Sequence, residues 1–430
     1  DCSLTHRLYG DDDRYRLAQE IVLGIGGVRM LKELGFESIA RYHMNEGHAS
    51  LLTLELLRQI RISEEGTDWD AEAVRRMCVF TTHTPVPAGH DQFYYDLVHQ
   101  VLGDFVPFEV LQELAGKDKL NMTLLALNLS DYINGVAKEH GKVSREMFPG
   151  YHIDFITNGV HSSSWVSESF KKLFDKYIPG WINDNFTLRY ALSIPKDEIW
   201  QAHQTGKSAL IRHLVDTKGV TFEQDVLTIG FARRATAYKR ADLLFYDINR
   251  LRSICASAGK VQFVFAGKAH PKDWNGKELI KRIHAVSGQL GDSVKIVYLE
   301  NYDAHLAKML ISGVDVWLNT PRRPQEASGT SGMKAAHNGI PSLSILDGWW
   351  IEGCIENLTG WSIGSIPEVS SSDEKDAVSL YDKLEKAVIP AYYHNRDHWI
   401  DIMRNCIAIN ASFFNTHRMV QQYVLNAYSY

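Results

Sequence analysis

Val226-Leu227-Thr228-Ile229-Gly230-Phe231 is a short apolar run that gives way to Ala232-Arg233-Arg234 and then Tyr238-Lys239-Arg240. The pattern recurs downstream. Val261–Ala266 precedes Gly267-Lys268-Ala269, and Val294–Leu299 precedes Glu300-Asn301-Tyr302. Val314–Leu318 precedes a loop holding Glu326, and Ser342–Leu346 runs into Asp347-Gly348. Between the runs, Asp242–Ala258, Gly276–Val286, Asp303–Ile311 and Ser331–His337 carry apolar residues at helical spacing. Strand alternating with helix predicts an α/β fold whose parallel sheet is covered on both faces. Ligands of such sheets bind beyond the carboxyl ends of the strands. The cations and small residues fall at those ends, which predicts one cleft. Upstream, residues 1–150 read as mostly helical, with helices at Arg14–Leu34 and Ala49–Ile60. A short β-branched run, Val79–Thr82, stops at Pro85.

The chain has 430 residues, 45% hydrophobic and 23% charged, which is enough for two domains. A net charge of -6 and a pI of about 6.3 imply no field for nucleic acid. No apolar run reaches membrane-spanning length, and no signal peptide is read. Cys2, Cys78, Cys255, Cys354 and Cys406 are scattered without a CxxC pair, as in reduced cytoplasmic proteins.

The loop Glu326-Ala327-Ser328-Gly329-Thr330-Ser331-Gly332-Met333-Lys334 is followed by Asn338-Gly339 and Leu346-Asp347-Gly348. Small residues let backbone N–H groups approach a phosphate. A lysine beside them can contact that phosphate or form a Schiff base with an aldehyde cofactor. A plain turn before a helix would look similar. Arg233, Arg234, Lys239 and Arg240 suit phosphate oxygens. As a merely solvated face they would oppose the dipole of the helix they precede. Glu326 could accept hydrogen bonds from sugar hydroxyls or could simply balance charge. His83, in Thr81-Thr82-His83-Thr84-Pro85, is a substrate contact or a structural histidine. His43, Glu46 and His48 do not give a zinc site, because the two histidines lack the i, i+4 spacing of one helix face; no metal is expected. Ser331-Gly332-Met333-Lys334 also fits S-x-x-K, but no K-T-G follows.

These blocks together resemble the α-glucan (glycogen/maltodextrin) phosphorylases, and most of all the shorter bacterial and archaeal type. The resemblance runs from Leu8-Tyr9-Gly10 and Gln19-Glu20 to the terminal helix. Supporting blocks are Met44-Asn45-Glu46-Gly47-His48, Thr82-His83-Thr84, Ile133-Asn134-Gly135-Val136-Ala137 and Thr157-Asn158-Gly159-Val160. The resemblance implies two Rossmann-like domains facing across a cleft, as in glycosyltransferase-B folds, with the N-terminal domain incomplete. The expected divisions are a partial N-terminal glucan domain over 1–158 and a pyridoxal-phosphate domain over 159–404. A last helix within 405–430 is expected to cross back to the first domain.

The implied reaction is reversible phosphorolysis of α-1,4-glucan by inorganic phosphate, releasing glucose 1-phosphate with retention. By resemblance, Lys334 holds pyridoxal 5'-phosphate, with Thr330, Ser331 and Arg233 on its phosphate and Tyr302 against it. The family usually has lysine where Arg233 stands. Arg234 and Lys239 resemble the ligands of the substrate phosphate. His83, Asn158, Tyr238 and Glu326, with the backbone of Ser328 and Gly329, resemble the glucosyl pocket. A homodimer and a cytoplasmic location follow from the same resemblance. The regulatory segments of the larger animal enzymes have no counterpart, so neither phosphorylation nor allosteric control is implied.

Two departures stand out. The family's glycine-rich phosphate loop is expected upstream of Asp1, and Gly24-Ile25-Gly26-Gly27 is not taken for it. Asp303 stands where the larger animal enzymes have arginine. Three alternatives stay open. A retaining nucleotide-sugar glycosyltransferase would share the two-domain plan but not the Schiff-base lysine. An aminotransferase-type enzyme would need a carboxylate on the pyridine nitrogen. An inactive glucan-binding fragment would bind dextrin without phosphorolysis.

Overall fold

The computed structural model describes residues 4–6, 12–60, 69–364 and 371–429. Leu8-Tyr9-Gly10 and Cys2 lie outside them. The chain separates into two compact units, one running to Ile156 and taking in the segment from Gln422 onward, the other Thr157–Gln421.

In the first unit the strands are β1 (Tyr42–Asn45), β2 (Cys78–Thr81), β3 (Gln92–Tyr94), β4 (Lys119–Asn121), β5 (Tyr132–Gly135) and β6 (Asp154–Phe155). β1-β2-β5-β6 form a parallel four-stranded sheet, and β3 pairs antiparallel with β4. Helices make up most of the described residues in 1–150, as expected, and the sheet is what that reading missed. Its strands place polar residues among apolar ones, and these residues form a hydrogen-bond network. His43 Nε2 meets Thr81 Oγ1 at 2.7 Å, Thr81 Oγ1 donates to Asn134 Oδ1 at 2.8 Å, and Asn134 Nδ2 donates to Tyr423 Oη at 3.1 Å. The helical stretch near the start is continuous from Asp13 to Glu33, with a π turn at Val22–Gly26.

In the second unit six parallel strands follow: β7 (Leu227–Ala232), β8 (Val261–Ala266), β9 (Ile296–Leu299), β10 (Val316–Asn319), β11 (Ser342–Ile345) and β12 (Gly360–Ile363). Their spatial order, β12-β11-β10-β7-β8-β9, is the Rossmann order 3-2-1-4-5-6 read from the other edge. Every residue of β7 and β8 is buried, as a sheet covered on both faces requires. The order reverses between β7 and β10, so the crevice for a ligand opens beyond Ala232 and Asn319.

Two helices differ from expectation. The helix expected from Asp242 starts at Ile248, because Asp247 caps it by accepting the Arg250 N–H at 2.8 Å. Asp242 instead pairs with Arg282 at 2.7 Å. The helix expected over Asn405–Tyr428 is interrupted. Thr416 N–H donates to the Val160 carbonyl at 3.1 Å, and Asn415 restarts the helix by accepting Arg418 N–H at 3.0 Å. Asp303 is also a cap, accepting Leu306 N–H at 2.8 Å. Beneath the sheet, Lys207 Nζ meets Asp315 Oδ2 at 2.6 Å, and His203 Nε2 meets Asp315 Oδ1 at 2.7 Å. All three side chains are fully buried.

Candidate functional site

At the switch point, the end of β7 delivers Arg233 and the end of β10 delivers Asn319 and, seven residues on, Glu326. Gly267, after β8, allows the approach: a Cβ there would lie 2.2 Å from the Arg233 carbonyl oxygen. The Glu326 carboxylate, only 7% exposed, accepts through one oxygen from Arg233 Nη1 at 2.5 Å and Lys239 Nζ at 2.7 Å. Arg233 Nη1 also donates to Asn319 Oδ1, whose amide is oriented by Nδ2 donating to Ser344 Oγ at 3.2 Å. The Lys239 ammonium rests on the Tyr238 ring, 4.4 Å from its centre.

Burial favours the neutral acid at Glu326, but Arg233 and Lys239 outweigh it and hold the carboxyl below its ordinary range. Burial together with Arg233 depresses the Lys239 ammonium to about 7, with Glu326 pulling the other way. One carboxylate shared by two cations leaves one cation in surplus, and Lys239 is the one that can shed its proton. The Tyr238 phenol is pushed up to about 12, by burial first and then by the Glu326 charge.

Glu326 is held from behind. Its N–H donates to Asp347 Oδ2 at 2.9 Å, and Asp347 Oδ1 takes Gly348 N–H at 2.9 Å. Burial pushes Asp347 up to about 7. Trp349 N–H donates to the Ser328 carbonyl at 2.8 Å. Gly348 sits at φ +54°, and a Cβ there would come within 2.5 Å of that same carbonyl oxygen. Ser328 Oγ is buried with no hydrogen-bond partner among the described residues. Sequence reasoning quoted Asp347-Gly348 but gave it no task; its place directly after a strand was the available signal.

Lys334 lies on the helix Thr330–Ala336, its Nζ 3.7 Å from the centre of the Trp165 ring. Burial lowers its pKa, which favours a free amine. Asn338 fixes Trp165, donating to its carbonyl at 2.9 Å and accepting Ser167 N–H at 2.8 Å. Tyr302 packs, half-buried, on the same apolar cluster as Trp165, which includes Trp317 and Ala335. Ser331 Oγ accepts Trp317 Nε1–H at 3.1 Å. Thr330 opens the helix after Gly329. Arg234 follows Arg233 and is exposed. The Asn158 carbonyl accepts from Arg418 Nη2 at 3.0 Å.

Arg240 does not join the anion-binding group expected from sequence. Its guanidinium donates to the Thr320 and Pro321 carbonyls at 3.0 and 2.8 Å and to Asp376 at 2.7 Å. It latches the loop after β10.

His83 belongs to the first unit. Its N–H donates to Glu46 Oε2 at 2.7 Å, and Thr84 Oγ1 donates to the same oxygen at 2.8 Å. Burial keeps the His83 imidazole neutral against the pull of Glu46. Nearby, Glu20, His48 and Asp91 gather ligand atoms within 4.8 Å of one another. The Arg16 guanidinium already lies among them, 2.9 Å from Asp91 and 3.2 Å from Glu20. Hydrogen bonds to Asp91 and Glu20 raise His48 to about 9, and burial raises Glu20 to about 8.

The sequence model of the carbohydrate phosphorylase family matches residues 104–360. The chain belongs to the carbohydrate phosphorylase family. The maltodextrin phosphorylase of Thermococcus litoralis is 40% identical, over 100% of this chain and 55% of that protein. The glycogen phosphorylase of Aquifex aeolicus is 35% identical over 99% of this chain and 68% of that protein. That of Mycobacterium tuberculosis is 34% identical over 99% and 56%. This phosphorylase-family chain thus spans little more than half the length of the first of these relatives. Among the described residues, no helix is long and apolar enough to cross a membrane.

Proposed function

We propose that this chain carries out the reversible phosphorolysis of α-1,4-glucan, as an α-glucan phosphorylase dependent on pyridoxal 5'-phosphate. The observation that carries the reading is the buried Glu326–Arg233–Lys239 cluster at a Rossmann switch point, with a half-buried Lys334 amine on the next helix. The residues suit the cofactor: an amine of depressed pKa for its aldehyde, Arg233 for its phosphate, and Tyr302 and Trp165 as apolar neighbours. When bound, the group supplies a second phosphate that can exchange a proton with the substrate phosphate.

In this reading Lys334 anchors the cofactor, with Thr330 and Ser331 beside its phosphate. Arg234 and Lys239 hold inorganic phosphate and offset its charge as it attacks the anomeric carbon. Glu326, Ser328 with its partnerless hydroxyl, Gly329, Tyr238 and Asn158 orient the glucosyl unit, and the His83 backbone carbonyl supports the positive anomeric centre. The inorganic phosphate would give its proton to the leaving glycosidic oxygen and take the sugar on the original face. The finer expectations belong to the same proposal: two Rossmann-like domains closing across a cleft, a homodimer, and a cytoplasmic location. A nucleotide-sugar glycosyltransferase would leave the Lys334 amine without a task.

The test is release of glucose 1-phosphate from maltoheptaose and inorganic phosphate by the chain loaded with pyridoxal phosphate. Release is expected, and it is expected to be lost in Arg234→Ala. A loaded chain that binds dextrin but releases no glucose 1-phosphate would refute the activity and leave a glucan-binding protein.

A further inference from the structure

We infer that Glu46 is a positioning residue: its carboxylate holds the Thr82–Thr84 turn and so aims the His83 carbonyl. This rests on the functional reading above, in which that carbonyl supports the positive anomeric centre. Two observations within the first unit carry it. The first is the backbone. Glu46 follows β1 at φ 68° and ψ 171°, a region that essentially only glycine occupies without strain. Glutamate stands here against that preference, so its bonds must offset the strain. The second is the bonding. Glu46 N–H donates at 2.8 Å to the carbonyl of Thr81, the last residue of the neighbouring strand β2. The carboxylate, on a residue only 7% exposed, then reaches the segment that follows that strand. Its Oε2 accepts His83 N–H at 2.7 Å and the Thr84 hydroxyl at 2.8 Å. Its Oε1 accepts Gly47 N–H at 3.1 Å and lies 3.5 Å from Thr82 Oγ1.

The His83 carbonyl lies, along the chain, between the two groups that share Oε2. With the N–H of residue 83 and the side chain of residue 84 both anchored, the peptide that joins them has little freedom to turn. Two neighbours limit it further. Pro85 keeps Thr84 out of the helical region. A Cβ on Gly89 would lie 2.6 Å from Thr84 Cγ2, so that methyl is packed against the next turn. A turn built for stability alone would carry glycine at position 46 and none of this strain. A dipole fixed in advance acts on a developing charge without reorienting, so it serves the transition state more than the ground state. Loss of the grip should therefore appear in kcat and leave KM for phosphate nearly unchanged.

The experiment uses the full chain loaded with pyridoxal phosphate, as wild type, Glu46→Gly and Glu46→Gln. The readouts are kcat, KM for phosphate, hydrogen exchange of the His83 amide, and binding of isofagomine against glucose in the presence of phosphate. Isofagomine is a glucose analogue with a protonated nitrogen at the anomeric position, so its preference over glucose reads the aimed carbonyl. Glycine relieves the backbone and removes the carboxylate. Glu46→Gly should lose about tenfold or more in kcat and in isofagomine preference. Its KM for phosphate should stay within about twofold, and its His83 amide should exchange faster. Glu46→Gln keeps one oxygen for His83 N–H and should recover most of both losses. Equal loss of glucose and isofagomine binding in Glu46→Gly would show a general loss of sugar binding and overturns the inference. A glutamine variant as impaired as the glycine variant overturns it too, since charge and not grip would then matter. Full activity and preference in Glu46→Gly overturns it while leaving the functional reading intact. A wild type without phosphorolysis overturns both. Should Glu46→Gly fail to fold, Thr84→Val decides. It removes one of the two bonds at Oε2 and should weaken the isofagomine preference; an unchanged preference overturns the inference.

Discussion

Gly348→Ala measures how tightly the loop that presents Glu326 is held. Gly348 lies at φ +54°, where a Cβ costs about 1–2 kcal/mol. The same Cβ would meet the Ser328 carbonyl oxygen at 2.5 Å and the Glu326 carbonyl oxygen at 2.9 Å. Both are backbone atoms of the site loop, so relief requires moving that loop, at about 1–3 kcal/mol more. The total is about 2–5 kcal/mol. Gly180→Ala is the control, since it lies in the same unit at φ +85° with nothing within 4 Å of a Cβ. It bears only the conformational cost. The assay is thermal unfolding of both variants, read beside hydrogen exchange of the Glu326 amide, whose acceptor is Asp347. Gly348→Ala should unfold at a lower temperature than Gly180→Ala, and its Glu326 amide should exchange faster than in wild type. Equal losses in the two variants, with an unchanged Glu326 amide, would refute the claim that Asp347-Gly348 braces the loop.

Further outcomes follow from the buried charges. Asp315→Ala leaves Lys207 buried without its counter-ion and should cost about 3–5 kcal/mol by chemical denaturation; a loss under 1 kcal/mol would contradict the pairing. Lys239 titrates near 7, and a bound anion favours its charged form. Sulfate binding should therefore take up a proton at pH 8, take up almost none at pH 6, and weaken as pH rises through 7. Calorimetry in buffers of different ionisation enthalpy reads this uptake, and its absence at pH 8 would contradict the assignment. Lys239→Ala should weaken phosphate binding at least tenfold while pyridoxal phosphate still labels Lys334, and loss of the label instead would move Lys239 to the cofactor.

The second unit was legible because its strands announce themselves. Leu227–Ala232 and Val261–Ala266 are wholly buried, so they read as nearly continuous apolar runs despite Thr228 and Gln262, and the cations at their ends marked the crevice. Of the first unit's sheet only the run at Val79–Thr82 was legible, since Tyr42–Asn45 and Tyr132–Gly135 spend His43 and Asn134 on a polar network that no local pattern encodes. The β12 strand Gly360–Ile363 was also not read from the sequence. Within the site, residue types named the cations, but not their partners. That Arg240 turns to Asp376 while Arg233 turns to Glu326 depends on contacts 136 and 93 residues away. Trp165, which faces Lys334 from 169 positions upstream, was invisible for the same reason.

The central claim is that the Lys334 amine takes the aldehyde of pyridoxal phosphate. The most direct measurement is borohydride reduction of the chain incubated with pyridoxal phosphate, followed by peptide mass mapping. A single pyridoxyl label on Lys334, absent from Lys334→Ala, is expected. A label spread over exposed lysines, with Lys334 unmodified, would contradict it.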